Sequence, residues 1–271
     1  MNAFKQLLGA SGGNPPIGTW ISSASPLVAE AVAHAGFDWG LIDMEHSPLD
    51  LMALVHLLQA LAATRMAPLV RVPSNDAVTI KRVLDAGATT LMVPCVADAD
   101  AARAAVASMR YPPEGVRAMS ASGRASRFGT DPGYARSANR GLALIVQPET
   151  VQAIGRLESI AAVRGVDAIF LGPADLSASI GHVGQPTHPE VMDLMAQVVQ
   201  RCKSIGKPVG AFGATAEVVA EYRAIGFDFV AIGSDLAHLI RGAKEAIVAL
   251  KAQDRMHVHS LASGTRTGGD R

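Results

Sequence analysis

Seven side chains able to hold a cation, move a proton or grip an anion stand in or just after short apolar runs in this sequence. Asp43, Glu45 and His46 close the run Trp39 to Asp43, and Arg71 lies in Leu69 to Val72. Gln147 and Glu149 follow Leu142 to Val146, and Asp175 stands in Gly172-Pro173-Ala174-Asp175-Leu176-Ser177 after Ala168 to Leu171. Gathering so many ionisable groups is costly unless they pair or hold a cation. Glu149 and Asp175 are about one strand–helix repeat apart, so they read as two hard oxygen ligands on neighbouring strands. Such a pair suits an octahedral ion such as Mg²⁺ or Mn²⁺ that keeps waters and a substrate in its other positions. The spacing equally allows a salt bridge, or Asp175 as the cap of a following helix. Asp43 and His46 read as a dyad in which the carboxylate fixes one imidazole nitrogen and leaves the other as a base near neutral pH. A buried histidine satisfied by a local carboxylate would show the same spacing. Arg71, inside an apolar run, needs an anionic partner and reads as ligand-facing.

The elements that must position these groups are short β-branched or apolar runs alternating with alanine-rich stretches of helical period, the pattern of repeated βα units. Eight such runs are expected: Ile17 to Ile21, Trp39 to Asp43, Leu69 to Val72, Thr90 to Val93, Leu142 to Val146, Ala168 to Leu171, Pro208 to Phe212 and Phe229 to Ile232. Eight closes a TIM (β/α)8 barrel, whose catalytic groups come from the carboxyl ends of the strands. An open doubly wound sheet is the alternative, but SSASPLVAEAV follows the first run where a glycine-rich dinucleotide fingerprint would stand. The 271 residues suit one barrel over 1–252, and the stretch 253–271 is expected to be a disordered C-terminal tail. His257 and His259 there are expected to be incidental. Two connections exceed the usual length, Ser108 to Gly141 and Ala174 to Thr187, and read as binding loops.

Composition excludes several classes. With 49% hydrophobic residues and 24 basic against 24 acidic ones, the chain can bury a large core and has no net field for a polyanion, so nucleic acid is not an expected partner. No apolar run is long enough to span a bilayer and no secretory signal is expected, so the protein is read as cytoplasmic with no membrane partner. Two cysteines cannot make a disulfide framework or a four-ligand zinc site. Cys95 reads as a core thiol. Of the lysines, only Lys207 adjoins a strand, at its amino end, which disfavours an imine-forming aldolase. His34, His56, His182, His188 and His238 are assigned to helices or outer loops without functional signal. The glycine turns at Gly210 to Gly213 and Gly233 to Asp235 allow a phosphate site, though tight strand-to-helix turns need glycine in any case.

The ordered motifs Phe37-Asp38-Trp39, Leu41-Ile42-Asp43-Met44-Glu45-His46, Pro68-Leu69-Val70-Arg71-Val72-Pro73, Arg110-Tyr111-Pro112-Pro113 with Gly115 and Arg117, Gln147 with Glu149-Thr150, and Gly172 to Ser177 resemble the class II pyruvate aldolases of the HpcH/HpaI family from about Gly18 to Leu250. The resemblance implies a metal-dependent aldolase that reversibly splits a 4-hydroxy-2-oxo acid into pyruvate or hydroxypyruvate and an aldehyde. It implies Glu149 and Asp175 as ligands of Mg²⁺, Mn²⁺ or Co²⁺ and Arg71 as the partner of the keto oxygen. His46, oriented by Asp43, would be the base, acting through a metal-bound water. Gln147 and the amides of Ala174 and Asp175 would receive the pyruvate carboxylate, with Glu45 behind them. It further implies a homohexamer, a trimer of dimers that exchange their last helix. Two departures stand out: Pro148 inside Gln-x-Glu, able to shift Glu149, and Phe212 at the aldehyde end, where relatives often carry a smaller aliphatic residue. Phe212 is expected to disfavour long dicarboxylate-derived aldehydes. The alternatives are a citrate lyase β-subunit-like enzyme acting on a coenzyme A thioester, and a non-catalytic oxo-acid-binding barrel.

Overall fold

The computed structural model describes the backbone of residues 2–10 and 12–264, with side chains as far as residue 252. Eight parallel strands, β1 (Ile17–Ile21), β2 (Trp39–Asp43), β3 (Ala67–Arg71), β4 (Thr90–Val93), β5 (Ala143–Val146), β6 (Ala168–Leu171), β7 (Val209–Gly213) and β8 (Phe229–Ser234), close into a barrel in sequence order. The helices are α1 (Ala3–Ala10), α2 (Pro26–Ala33), α3 (Leu51–Ala62), α4 (Ala77–Asp85), α5 (Ala99–Met109), α6 (Tyr134–Ser137), α7 (Val151–Gly155), α8 (Leu157–Ala161), α9 (Pro173–Ser179), α10 (Pro189–Ser204), α11 (Ala216–Ile225) and α12 (Asp235–Gly264). Many start where the chain supplies an oxygen for an orphan amide: Ser25, Asp50, Asp76, Asp98, Thr150 and Thr215 each accept from the backbone N–H three residues on. The expected βα rhythm is therefore present, and the open sheet is excluded.

Strand alternation sorts the core into two layers. On β2, β3 and β5 the residues Trp39, Leu41, Ala67, Leu69, Ala143 and Ile145 belong to the cluster inside the barrel, whereas Ile42, Val70, Leu144 and Val146 pack outward under the helices. Large rings fill the interior beside glycines: a Cβ on Gly18 would meet the Trp39 ring at 2.1 Å, and one on Gly210 the Phe229 ring at 2.4 Å. Gly210 is thus required for packing and not for a phosphate. Helix α1 seals the amino end, where the fully buried Phe4 meets Phe229 edge-on at 5.1 Å.

Several boundaries differ from expectation by one or two residues at strand ends, and two differences have a physical reason or consequence. Strand β3 begins two residues early and contains Pro68, which lacks a ladder donor; its pairing with β4 starts only at Val70, so that donor is not needed. Helix α12 runs through the expected boundary at 252 to Gly264, so the first part of the expected tail is helical, and 265–271 lie outside the described residues. The described residues from Leu236 to Gly264 form a separate compact unit, on which Leu239, Ile240, Ile247, Val248 and Leu250 are exposed.

Phe4→Ala is expected to destabilise the barrel by about 3 to 5 kcal/mol, the usual cost of emptying a buried phenyl site, while the folded fraction keeps its turnover. Urea unfolding and activity in native buffer read the two effects separately, and a loss under 1 kcal/mol would show that α1 does not seal the barrel.

Candidate active site

The inward parity of β2 and β3 continues to their last residues, Asp43 and Arg71, which are register partners. The two side chains meet at the carboxyl end of the barrel. Arg71 donates from Nε to Asp43 Oδ1 at 2.9 Å and from Nη2 to Oδ2 at 2.8 Å, a two-pronged pair in which Asp43 is 2% and Arg71 7% exposed. Glu45 Oε2 lies 2.9 Å from Arg71 Nη1 without hydrogen-bond alignment, and the guanidinium carbon stands 5.8 Å from the Trp20 ring centre. Burial alone would raise the Asp43 titration, but the bonds and charge of Arg71 and the amides of Glu45 and His46 outweigh it and hold it below the ordinary carboxylate value. For Glu45 burial prevails over the Arg71 charge, and its titration is raised.

The expected Asp43–His46 dyad is not formed. Asp43 Oδ1 accepts from the His46 backbone N–H at 3.3 Å, while the Asp43 carboxylate is taken up by Arg71. The His46 ring points to the mouth, its side chain 68% exposed, and the carboxylate beside it is Glu45, at 3.7 Å from Nε2.

Glu149 and Asp175 do converge. A Cβ built on Gly172 would lie 3.1 Å from Asp175 Oδ2 and 3.6 Å from Glu149 Oε1, so both oxygens border the space that this glycine leaves open. Asp175 is the third residue of α9, with Gly172 at the cap position, so the capping alternative for Asp175 does not apply. Glu149 is 7% exposed, and its Oε2 accepts from the Cys95 amide at 2.9 Å. Burial first, and then the Asp175 charge, raise its titration, against the Cys95 hydrogen bonds. Glu149, raised by burial and by the Asp175 charge, and the exposed Asp175 beside it offer two hard oxygen ligands that fit a divalent cation between them. Pro148 does not disturb this: Gln147 carries the ladder on both sides, donating to Val93 and accepting from Val96, and Glu149 still reaches the rim. Cys95 is exposed and not a core thiol, with φ at 55°; burial and the neighbouring carboxylates push its thiol up to about 12, which keeps it protonated and unsuited to attack.

Four of the polar groups, His46, Arg71, Gln147 and Asp175, line a cavity of about 310 Å³ together with the rings of Trp20, Phe170 and Phe212. Phe212 is half-buried and meets Trp20 edge-on at 4.9 Å. No lysine lines the cavity; Lys207 donates to the Val166 carbonyl, and Lys5 pairs with Asp167. Gln147 is buried, and its Oε1 has no partner among the described residues. The sequence reading missed Trp20, whose inward parity on β1 was the available signal. It also passed over His182 and His188, which form with Glu190 a group whose ligand atoms all lie within 4.8 Å of one another and could hold a metal ion.

A carboxyl group with a folded titration above its unfolded value of 4.5 contributes stability below that value, and this is lost as pH rises through the folded one. In metal-free protein at neutral pH, Glu149→Gln, which keeps the volume and removes the charge, is therefore expected to raise the melting temperature. It is also expected to remove most of the rise that Mg²⁺ gives the unaltered protein. Thermal unfolding with and without Mg²⁺ reads both effects; a Mg²⁺ response of full size in the variant would place the cation elsewhere.

Comparison with known proteins agrees with the barrel. The sequence profile described as HpcH/HpaI aldolase/citrate lyase matches residues 16–242. The chain is 50% identical over 238 residues to the 2-dehydro-3,6-dideoxy-6-sulfogluconate aldolase of Pseudomonas putida, covering 88% of this chain and 93% of that protein. It is 49% identical over 249 residues to a pyruvate aldolase of Rhizobium etli, covering 92% and 97%. The crystal structure of an HpcH/HpaI aldolase/citrate lyase family protein from Burkholderia cenocepacia superposes with a TM-score of 0.89 at 40% identity, covering 93% of this chain and all of that one. The chain belongs to the HpcH/HpaI aldolase/citrate lyase family.

Proposed function

We infer that this chain is a class II, metal-dependent aldolase, a carbon–carbon lyase that reversibly splits a 4-hydroxy-2-oxo acid into pyruvate, or hydroxypyruvate, and an aldehyde. The observation that carries this reading is the convergence of Glu149 and Asp175 at Gly172 beside the Arg71 guanidinium, on a cavity that no lysine lines. The two relatives named above, an aldolase of a 2-dehydro sugar acid and a pyruvate aldolase, support it. Glu149 and Asp175 hold Mg²⁺, Mn²⁺ or Co²⁺. When bound, the cation supplies the positive charge that stabilises an enolate as the carbon–carbon bond breaks.

The chain's own residues do the rest. Arg71 spends two of its five N–H groups on Asp43, with Glu45 beside its Nη1 as a charge partner only; the pair fixes the direction of the remaining N–H groups, which serve the keto oxygen. Gln147 and the first-turn amides of Ala174 and Asp175 receive the carboxylate of the oxo acid. His46, at the mouth, takes the proton of the 4-hydroxyl in cleavage and returns it in addition; Glu45 orients its ring, and Asp43 acts on Arg71 instead. The Trp20 and Phe212 rings form the aldehyde side of the cavity. A cavity of about 310 Å³ with Arg71 as its one strongly basic lining residue offers no seat for the long phosphorylated arm of a coenzyme A thioester. The exposed apolar side chains of α12 suit an exchange of that helix between protomers in a homohexamer, a trimer of dimers. No described helix is long and apolar enough to cross a membrane, and both cysteines are free, which suits the cytoplasm.

Chelation is expected to abolish cleavage of a 4-hydroxy-2-oxo acid, and Mg²⁺, Mn²⁺ or Co²⁺ to restore it. Borohydride with pyruvate should leave no covalent adduct; full activity in chelator, or reduced pyruvate on a lysine, would overturn the reading. His46→Ala should lower kcat by about 10² to 10⁴, as loss of a general base does, with binding of pyruvate retained; near-normal turnover would remove His46 from that role.

Phe212→Ala tests the aldehyde side. Relative kcat/KM should move towards bulkier aldehydes by about 10- to 200-fold, the range for reshaping an apolar pocket. A large fall in melting temperature with an unaltered substrate ranking would make Phe212 a packing residue for Trp20 and nothing more.

A further inference from the structure

We propose that His182, His188 and Glu190 form a second metal site, separate from the Glu149–Asp175 pair, that takes Zn²⁺ or a similar transition ion and ties down the loop forming one wall of the cavity. His182 Nε2 lies 3.0 Å from Glu190 Oε2, the two imidazole rings stack 3.5 Å apart, and His188 Nδ1 accepts from the Glu190 amide at 3.3 Å. Metal–nitrogen bonds of about 2.1 Å set ligand atoms roughly 3.3 Å apart, so the His182–Glu190 edge already has the required length. The third donor must close in from within 4.8 Å, one ring turning out of the stack as it does so. Two imidazoles and one carboxylate are a borderline donor set, preferred by Zn²⁺, Co²⁺ or Ni²⁺ over Mg²⁺, which favours oxygen. The all-oxygen pair at Gly172 suits the hard Mg²⁺, so Mg²⁺ in large excess occupies that pair and leaves the imidazole site to Zn²⁺.

The backbone prepares the group. His182 N–H donates to Ser177 O at 2.7 Å, Gln185 N–H to His182 O and His188 N–H to Gln185 O at 3.0 Å each, and Gly184 turns the loop at φ 75°. His188 caps α10 and Glu190 stands in its first turn. An ion held here joins the two ends of a loop that is already folded, so little chain entropy opposes it. The His182 side chain is 23% and that of Glu190 68% exposed, leaving access from solvent and positions for water. Between the two histidines, Pro186 and Thr187 line the cavity. Metal at this site therefore stiffens the wall without touching the groups that hold pyruvate, and its effect falls on KM for the substrate more than on kcat.

The test uses the full-length protein with Mg²⁺ in millimolar excess, to keep the Glu149–Asp175 pair loaded, and Zn²⁺ as the probe. Calorimetric titration and elemental analysis after gel filtration are expected to give one Zn²⁺ per chain. His182→Gln, Glu190→Gln and His188→Ser, the last retaining a capping oxygen, should each weaken Zn²⁺ binding at least tenfold with circular dichroism unchanged. Glu149→Gln should leave it unaltered. Zn²⁺ should shift KM in the unaltered protein and not in His182→Gln. No retained Zn²⁺, or equal retention in His182→Gln and His188→Ser, would overturn the site. Loss of Zn²⁺ in Glu149→Gln alone would assign the ion to the oxygen pair and also overturn it, without bearing on the aldolase reading.

Discussion

The guanidinium of Arg71, almost wholly buried at the end of β3, is held by both oxygens of Asp43 on the neighbouring strand, and the rest of the rim is arranged around that pair. An arginine so placed is tolerated only because its charge is met in good geometry; removing Asp43 would leave an uncompensated buried cation. The pair exists because β2 and β3 are in a register that sets Asp43 opposite Arg71, with both positions on the inward parity of their strands. Closure of the barrel thus fixes the direction of the N–H groups left over for a ligand. A lysine could not serve in the same way, since an ammonium cannot bind two carboxylates in a plane and keep a fixed donor for a third group.

The charges around that pair do not balance within the protein. Asp43, Glu45 and Glu149 stand around one guanidinium, with Asp175 beside Glu149; the titration of Asp43 is lowered, whereas those of Glu45 and Glu149 are raised. An excess of carboxylate in a half-buried rim is a standing cost to the fold, offset when a divalent cation enters. In the proposed function, the same excess that weakens the metal-free protein as pH rises past the ordinary carboxylate range supplies the affinity for a cation. Stability and function are linked here through Glu149, and the linkage has a definite sign.

Much of this was legible from residue type and period. Alternation along Trp39–Leu41–Asp43 and Ala67–Leu69–Arg71 places the charged ends inside, and the Gly172 to Ser177 turn marks the second carboxylate. What the sequence could not give was the competition among partners. Asp43 is near His46 in the chain, but a guanidinium across the ladder makes two bonds to it where an imidazole could make one, so the expected dyad gives way to an ion pair. The expected run begins at Leu69, and β3 takes in Pro68 as well because its late pairing with β4 leaves no need for the donor that proline lacks. His182 and His188, assigned to helices or outer loops without functional signal, have five residues between them; only the fold of the intervening loop brings them to stacking distance.

The most direct measurement of the central claim is exchange of pyruvate methyl protons for deuterium, followed by proton NMR on the full-length protein, since it reports enolate formation whatever the aldehyde. The account predicts exchange with Mg²⁺, none in chelator, and its loss in Glu149→Gln and Asp175→Asn. Exchange that persists undiminished in chelator, or in both variants, would contradict the claim that these two carboxylates hold the cation on which the chemistry depends.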